Sequence, residues 1–250
     1  SRGSLARLIV ARRSLAGRIL RRVLLLVALV VLGWLVWEGI TWPDVAGLAH
    51  RTPATSAFIE RYKARERAAG RRPQVTLAWT DYSRISPNLK RAVLVAEDIN
   101  FFSHHGFDWG EIKAALEESL GERDAARGAS TITQQLVKNL WLSPGRNPLR
   151  KAKEALLTWQ VERTLSKRRI LELYLNVVEF GPGIYGVGRA SERYFGKLPG
   201  DLGEEESALL AASLPRPRAW HPGSQSAAYR RYALLIRARM DKAEFLRKQI

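Results

Sequence analysis

Apolar and polar positions fall into two regimes along the chain. From Val23 to Trp37 there is no charge, and Leu and Val dominate; extended to Trp42, the run is interrupted only by Glu38. About 20 residues at about 1.5 Å each span a hydrocarbon core. Trp34, Trp37 and Trp42 gather toward one end, as an interfacial belt does. This predicts a single transmembrane helix. Beyond it the pattern is that of a folded body with helical periodicity.

Pro43 to Thr55 reads as a linker or irregular entry, and Phe58 to Ala69 as charged and helix-prone. Ser86-Pro87 is a helix start, Ser suiting the cap and Pro the first turn. Leu89, Ala92, Val93 and Ala96 follow at helical spacing. Asp108-x-x-Glu111 is a capping-box-like start of a helix through Leu120. Gly121 to Gly128 is polar and loop-like. Asn147-Pro148 opens a helix to about Leu165. Lys167 to Val178 forms another, closed by Gly181-Pro182-Gly183. Glu204 to Leu214 is an Ala/Leu helix stopped by Pro215 and Pro217, and Arg230 to Gln249 is a final basic helix. Period-two alternation is almost absent, so the expected class is mainly α. The expected organisation is a basic N-terminus (1–22), an anchor (23–42) and one catalytic-sized domain (43–250).

Composition narrows the partners. Lys and Arg number 41 against 24 Asp and Glu, a formal charge of +17. Such a balance suits nucleic acid, anionic lipid head groups or phosphorylated substrates. Seven arginines, from Arg2 to Arg22, precede the apolar run, which predicts a cytoplasmic N-terminus with the body outside. That topology speaks against nucleic acid as a partner. A cleaved signal peptide is the rival, but the run is long for one and no A-x-A site follows closely. The chain has no cysteine, which excludes a disulfide framework and thiolate metal sites. His50, His104, His105 and His221 fit no H-E-x-x-H spacing.

Three segments carry candidate chemistry. Glu97 lies near the end of the helix begun at Ser86. A helix C-terminus and the neighbouring Asp98 both disfavour its charge and push its pKa up, toward the range useful to a general base. The plainer alternative is a solvated Glu-Asp pair ending a surface helix. In the second segment Thr131, Gln134, Gln135 and Lys138 share a helix face. Hydroxyls, amides and an ammonium suit sugar or phosphate oxygens. Thr131 and Gln134 equally fit a capping box. Gly128 and Ser130 permit a tight entry whose N–H groups suit an anion. In the third, Arg150, Lys151 and Glu154 stand at the spacing of an intrahelical salt bridge, worth about 0.2–0.5 kcal/mol. Gly181-Pro-Gly183-Ile-Tyr-Gly186 formally fits G-x-G-x-x-G, but it follows a helix and lacks a βαβ unit, so it predicts a turn.

Taken together, these segments resemble glycosyltransferase family 51, the peptidoglycan glycosyltransferases, from about Thr52 to Pro222. Glu97-Asp98, Phe101, His104 and Gly106 look like its first motif, and Gly128 to Asn139 its second. Arg150-Lys151-x-x-Glu154 is similar to the third, Lys167 to Asn176 to the fourth, and Glu206 to Pro217 to the last. With no room for a transpeptidase domain, the monofunctional biosynthetic type is expected. The resemblance implies a lysozyme-like glycosyltransferase domain with a small membrane-associated lobe, preceded by one transmembrane helix. It implies a bacterial inner-membrane location with the domain in the periplasm. The implied reaction polymerises lipid II on an undecaprenyl-pyrophosphate glycan by inverting transfer to the acceptor 4-hydroxyl, forming β-1,4 linkages. Glu97 would be the base, and Glu154 the second carboxylate, near the phosphates. Lys138, Arg146 and Lys151 would meet the pyrophosphate, and Ser130, Thr131 and Gln135 sugar or phosphate oxygens. Asp98, Phe101, His104, Gly106, Arg150 and Asn139 would support them. No cofactor is required; Mg²⁺ or Mn²⁺ near the pyrophosphate fits the resemblance, though no residue cluster demands it. Membrane lipid and wall-synthesis or cell-division proteins are the further expected partners. The rivals are a lysozyme-like hydrolase or lytic transglycosylase, which has no pyrophosphate to stabilise, and a non-catalytic membrane-anchored scaffold.

Overall fold

The computed structural model describes residues 2–114, 130–145 and 147–250, with side chains at 18 and from 20 onward. It divides into two compact units, Ser1–Asp44 and Val45–Ile250. The first is one helix, α1 (Arg2–Ile40). Within it Leu20–Ile40 is long and apolar enough to cross a membrane. Leu24, Leu29, Val30 and Trp37 are all exposed, as side chains meeting lipid are. The helix ends two residues before Trp42, with the Thr41 hydroxyl donating back to Trp37 O at 2.8 Å.

The second unit is helical, and its starts are written in its caps. The helix α2 (Ala57–Ala68) begins where Ser56 accepts from Ile59 N, and α3 (Pro87–Glu97) where Ser86 accepts from Asn88 N. A full capping box between Thr131 and Gln134 opens α4 (Ile132–Trp141). Asn147 caps α5 (Pro148–Thr164), and Ser166 caps α6 (Lys167–Val177). Each such cap is worth about 1 kcal/mol. The remaining helices are α7 (Val187–Phe195), α8 (Glu204–Ser213) and α9 (Ala227–Lys242).

Two packing groups result. The first sets α3 against α8 and α9; the second sets α4 against α2, α5 and α6. Leu89, Val93 and Leu94 of α3, Leu136 and Val137 of α4, Leu171 and Leu175 of α6, and Ile236 of α9 are fully buried. Each contributes about 1.5–3 kcal/mol of burial. Arg91 is also buried. It forms ion pairs with Glu204 at 2.5 Å and with Glu244, so the first group is tied by charge as well as by apolar contact.

The structure departs from the sequence reading in four places. The segment expected to be a linker or irregular entry carries a 3-10 turn, Ala46–Ala49, and is held to the body: Arg169 donates to Leu48 O at 2.8 Å and to Arg51 O at 2.9 Å. A short antiparallel hairpin, β1 (Glu179–Gly181) and β2 (Ile184–Tyr185), follows α6. Its turn uses Gly183 at φ +73°, a backbone that glycine adopts freely. The helix α7 had no counterpart in the sequence reading. The last basic helix stops at Lys242, and a 3-10 turn, Glu244–Lys248, follows. That break lets Glu244 reach Arg91 and buries Leu246. Near the first motif Asp108 does cap its neighbours, accepting from Glu111 N at 3.0 Å, and residues 109–114 are helical. The expected remainder of that helix and the Gly121 to Gly128 loop lie outside the described residues.

Candidate active site

The site is built where the end of α3 meets the start of α4. Glu97 is the last residue of α3 and Asp98 its C-cap. Asp98 is buried and accepts from Ile132 N, the first residue of α4, at 3.0 Å. It also pairs with His104 Nε2 at 2.9 Å. His104 Nδ1 accepts the Gly106 N–H at 3.1 Å, so the ring proton belongs on Nε2 and points at Asp98. Gly106 O in turn accepts the Thr131 hydroxyl at 2.7 Å. Gly106 has φ +91°, and a Cβ there would lie 2.9 Å from Thr158 Cγ2; no other residue fits without movement. Phe101 is fully buried, and the Lys167 ammonium sits 4.4 Å from its ring centroid. The first motif is therefore mostly a brace, with Glu97 as the group it presents.

Glu97 is half-buried. Burial raises its pKa above the usual carboxylate value and Asp98 adds to the rise, while Gln135 and Lys138 oppose it. The raised pKa expected from sequence is thus present, but desolvation leads as its cause. Gln135 fixes the carboxylate: its Nε2 donates to Glu97 Oε2 at 2.7 Å and to Ser130 O at 3.3 Å. Its own oxygen accepts from the Tyr174 hydroxyl at 2.9 Å. Asn139 donates to Gln135 O at 2.8 Å. Gln135 and Tyr174 orient the Glu97 carboxylate, a duty that the sequence spacing does not reveal.

Beside this group opens a cavity of about 430 Å³, lined by Gln135, Lys138, Asn139, Arg150 and Glu179 among others. The Lys138 ammonium makes no hydrogen bond or ion pair among the described residues. Burial lowers its pKa, with Glu154 the main opposing influence. A larger cavity of about 580 Å³, lined by Trp79, Arg84 and Lys197, contains no residue of the three chemical segments. The site belongs to the smaller one.

Several expected roles change. Thr131 and Gln134 form the capping box that was the alternative reading, and Thr131 is 3% exposed; it braces the site and does not face it. Glu154 is fully buried and bonds Arg150 at 2.9 Å and Lys151 at 2.6 Å. The i+3 and i+4 spacing forms a true intrahelical salt bridge, with Glu154 held between the two cations. Arg146 and Gly128 lie outside the described residues. Asp98, His104 and Asp108 bring three ligand-type atoms within 4.8 Å of one another, but both His104 nitrogens are committed. Both Glu154 oxygens already face cations, so a divalent ion there would add charge beside two positive groups. Neither set suits a metal.

The helical scaffold thus presents one carboxylate of raised pKa beside a cavity whose wall includes Lys138 and Arg150. The chain is a member of the transglycosylase family, whose family model matches residues 41–241. It is 43% identical over 216 residues to a biosynthetic peptidoglycan transglycosylase of Thiobacillus denitrificans, covering 86% of this chain and 90% of that one. It is 45% identical over 231 residues to the protein of that name in Aromatoleum aromaticum, covering 90% and 94%. A third, from Acinetobacter baumannii, is 46% identical over 159 residues, covering 63% and 71%. The resemblance drawn from the motifs holds, and with it the mainly helical, lysozyme-like class.

Proposed function

We propose that the protein is a peptidoglycan glycosyltransferase that polymerises lipid II. The observation that carries this reading is Glu97, held by Gln135 with a raised pKa, beside a cavity walled by Lys138 and Arg150. Glu97 accepts the proton of the acceptor 4-hydroxyl. The freed oxygen forms a bond to C1 of the donor sugar, and the bond from C1 to the pyrophosphate oxygen breaks. One displacement turns an α-linked donor into a β-1,4 linkage. The departing pyrophosphate needs charge stabilisation more than a proton. Lys138 and Arg150 supply it from the cavity wall, with Lys151 beside them on α5. No divalent ion enters this assignment. A hydrolase has no use for such a wall, which favours transfer over lysozyme-like cleavage. Incubation of the purified protein with labelled lipid II decides the matter: polymer is expected, degraded glycan would identify a hydrolase, and unchanged substrate would leave a scaffold.

The apolar Leu20–Ile40 helix, preceded by arginines, supports an N-in anchor in the bacterial inner membrane with the enzyme domain in the periplasm. A reporter active only outside the cytoplasm should work when fused after Ile250. Activity from a cytoplasm-only reporter at that position would reverse the topology.

A further inference from the structure

The cavity needs a second carboxylate in contact with substrate only if one is available there, and Glu154 is not: it is fully buried and both its oxygens are spent on Arg150 and Lys151. Glu179 is in a different position. It is the first residue of β1 and lines the cavity with Lys138 and Arg150. We propose that Glu179 is the cavity's substrate-binding carboxylate, accepting a hydrogen bond from a hydroxyl or amide N–H of the incoming sugar. This rests on the peptidoglycan glycosyltransferase reading and adds a residue to it.

Three observations support the assignment. First, Glu179 keeps capacity to accept. Its Oε1 takes the Gly183 N–H at 3.2 Å and Tyr185 bonds the same carboxylate, while a carboxylate has about four lone-pair sites. Among the described residues the closest ion-pair partner, Arg218 Nε, is 3.7 Å away and its side chain is 53% exposed, so the charge meets no tight buried pair there. Second, the walls of the cavity differ in sign. The helices α4 and α5 bring Lys138 and Arg150; the hairpin brings Glu179. A pyrophosphate is drawn to the cations and repelled by the carboxylate, so what meets Glu179 is a hydrogen-bond donor, which the sugar supplies in its hydroxyls and acetamido N–H. Third, the hairpin fixes the side chain in place. Gly186 N donates to Val178 O at 3.0 Å, and a Cβ at Gly186 would lie 2.5 Å from Asn176 O. The strand pair therefore sits directly on the end of α6, which also carries Tyr174 toward Gln135.

The test is steady-state kinetics on lipid II for the full-length wild type and Glu179→Gln, with melting temperatures for both. Gln retains an oxygen for Gly183 and so preserves the hairpin, but it loses the charge. Loss of a charge-assisted hydrogen bond should raise KM about 10- to 100-fold, with kcat changed less and melting temperature unchanged. Glu179→Ala should raise KM at least as far. An unchanged KM in a stably folded Glu179→Gln overturns the proposal. So does a fall in kcat at constant KM together with a lower melting temperature, which is what a loosened hairpin would give. A wild-type protein inactive on lipid II would instead remove the functional reading itself, so the two failures are distinguishable.

Discussion

Glu97→Gln is expected to lose at least about two orders of magnitude in lipid II polymerisation, because general base catalysis contributes about 10²–10⁴-fold. The amide still matches the size of the carboxylate and remains within reach of Gln135, yet it accepts no proton at neutral pH. Stability should move the other way. Burial raises the Glu97 pKa, so the folded protein retains this proton at pH values where the unfolded chain has lost it. Ionisation above that range therefore costs folding free energy. A neutral Gln avoids the cost, and the melting temperature at neutral pH should stay constant or rise. The same shift predicts the pH profile. Wild-type rate should fall on acidification at a pH above the ordinary carboxylate range, and that limb should vanish in Glu97→Gln. Near wild-type turnover by the variant would show that another group takes the proton. A collapse in melting temperature would show that Glu97 only ends a helix.

The chain announces its helices more openly than its site. Ser86, Asn147 and Ser166 cap helices because each is a short polar side chain placed before an apolar-periodic run, and that information is local. The hairpin at Glu179 is not local. Its strands are three and two residues long, too short for alternation to register, and glycines that mark a turn in sequence do not say what the turn packs against. The break at Ala243 sets Glu244 beside Arg91, which lies 153 positions away. The site divides along the same line. The raised pKa of Glu97 was legible because its helix end and acidic neighbour sit within a few residues. The salt bridge of Glu154 was legible because helix geometry fixes the i+3 and i+4 pairs. Gln135 was read as a substrate ligand because its partners, Glu97 and Tyr174, lie 38 and 39 positions away. Glu179 gave no signal, since a carboxylate beside an apolar run becomes a cavity wall only after the hairpin folds.

Lys138→Met should be nearly as damaging to turnover as Glu97→Gln, with the fold preserved. Lys138 stands on α4 one turn beyond Gln135, lines the cavity, and has no ion pair among the described residues. An ammonium held half-desolvated without a direct partner costs stability, and its lowered pKa expresses that cost. Met fills similar volume without charge, so the folded protein should melt at the same temperature or higher. Catalysis should suffer, because preorganised charge aimed at a developing anion contributes most where water is excluded. Removing one such donor typically costs about 10²–10³-fold in turnover. Arg150 and Lys151 make up only part of the loss, since Glu154 offsets the charge of both. Measuring rate and melting temperature on the same preparations separates the two possible duties. A slow, stable Lys138→Met places the ammonium on the leaving group. A variant that melts several degrees lower and loses rate in proportion would make Lys138 a structural partner of Glu154, and the leaving-group charge would then fall to α5 alone.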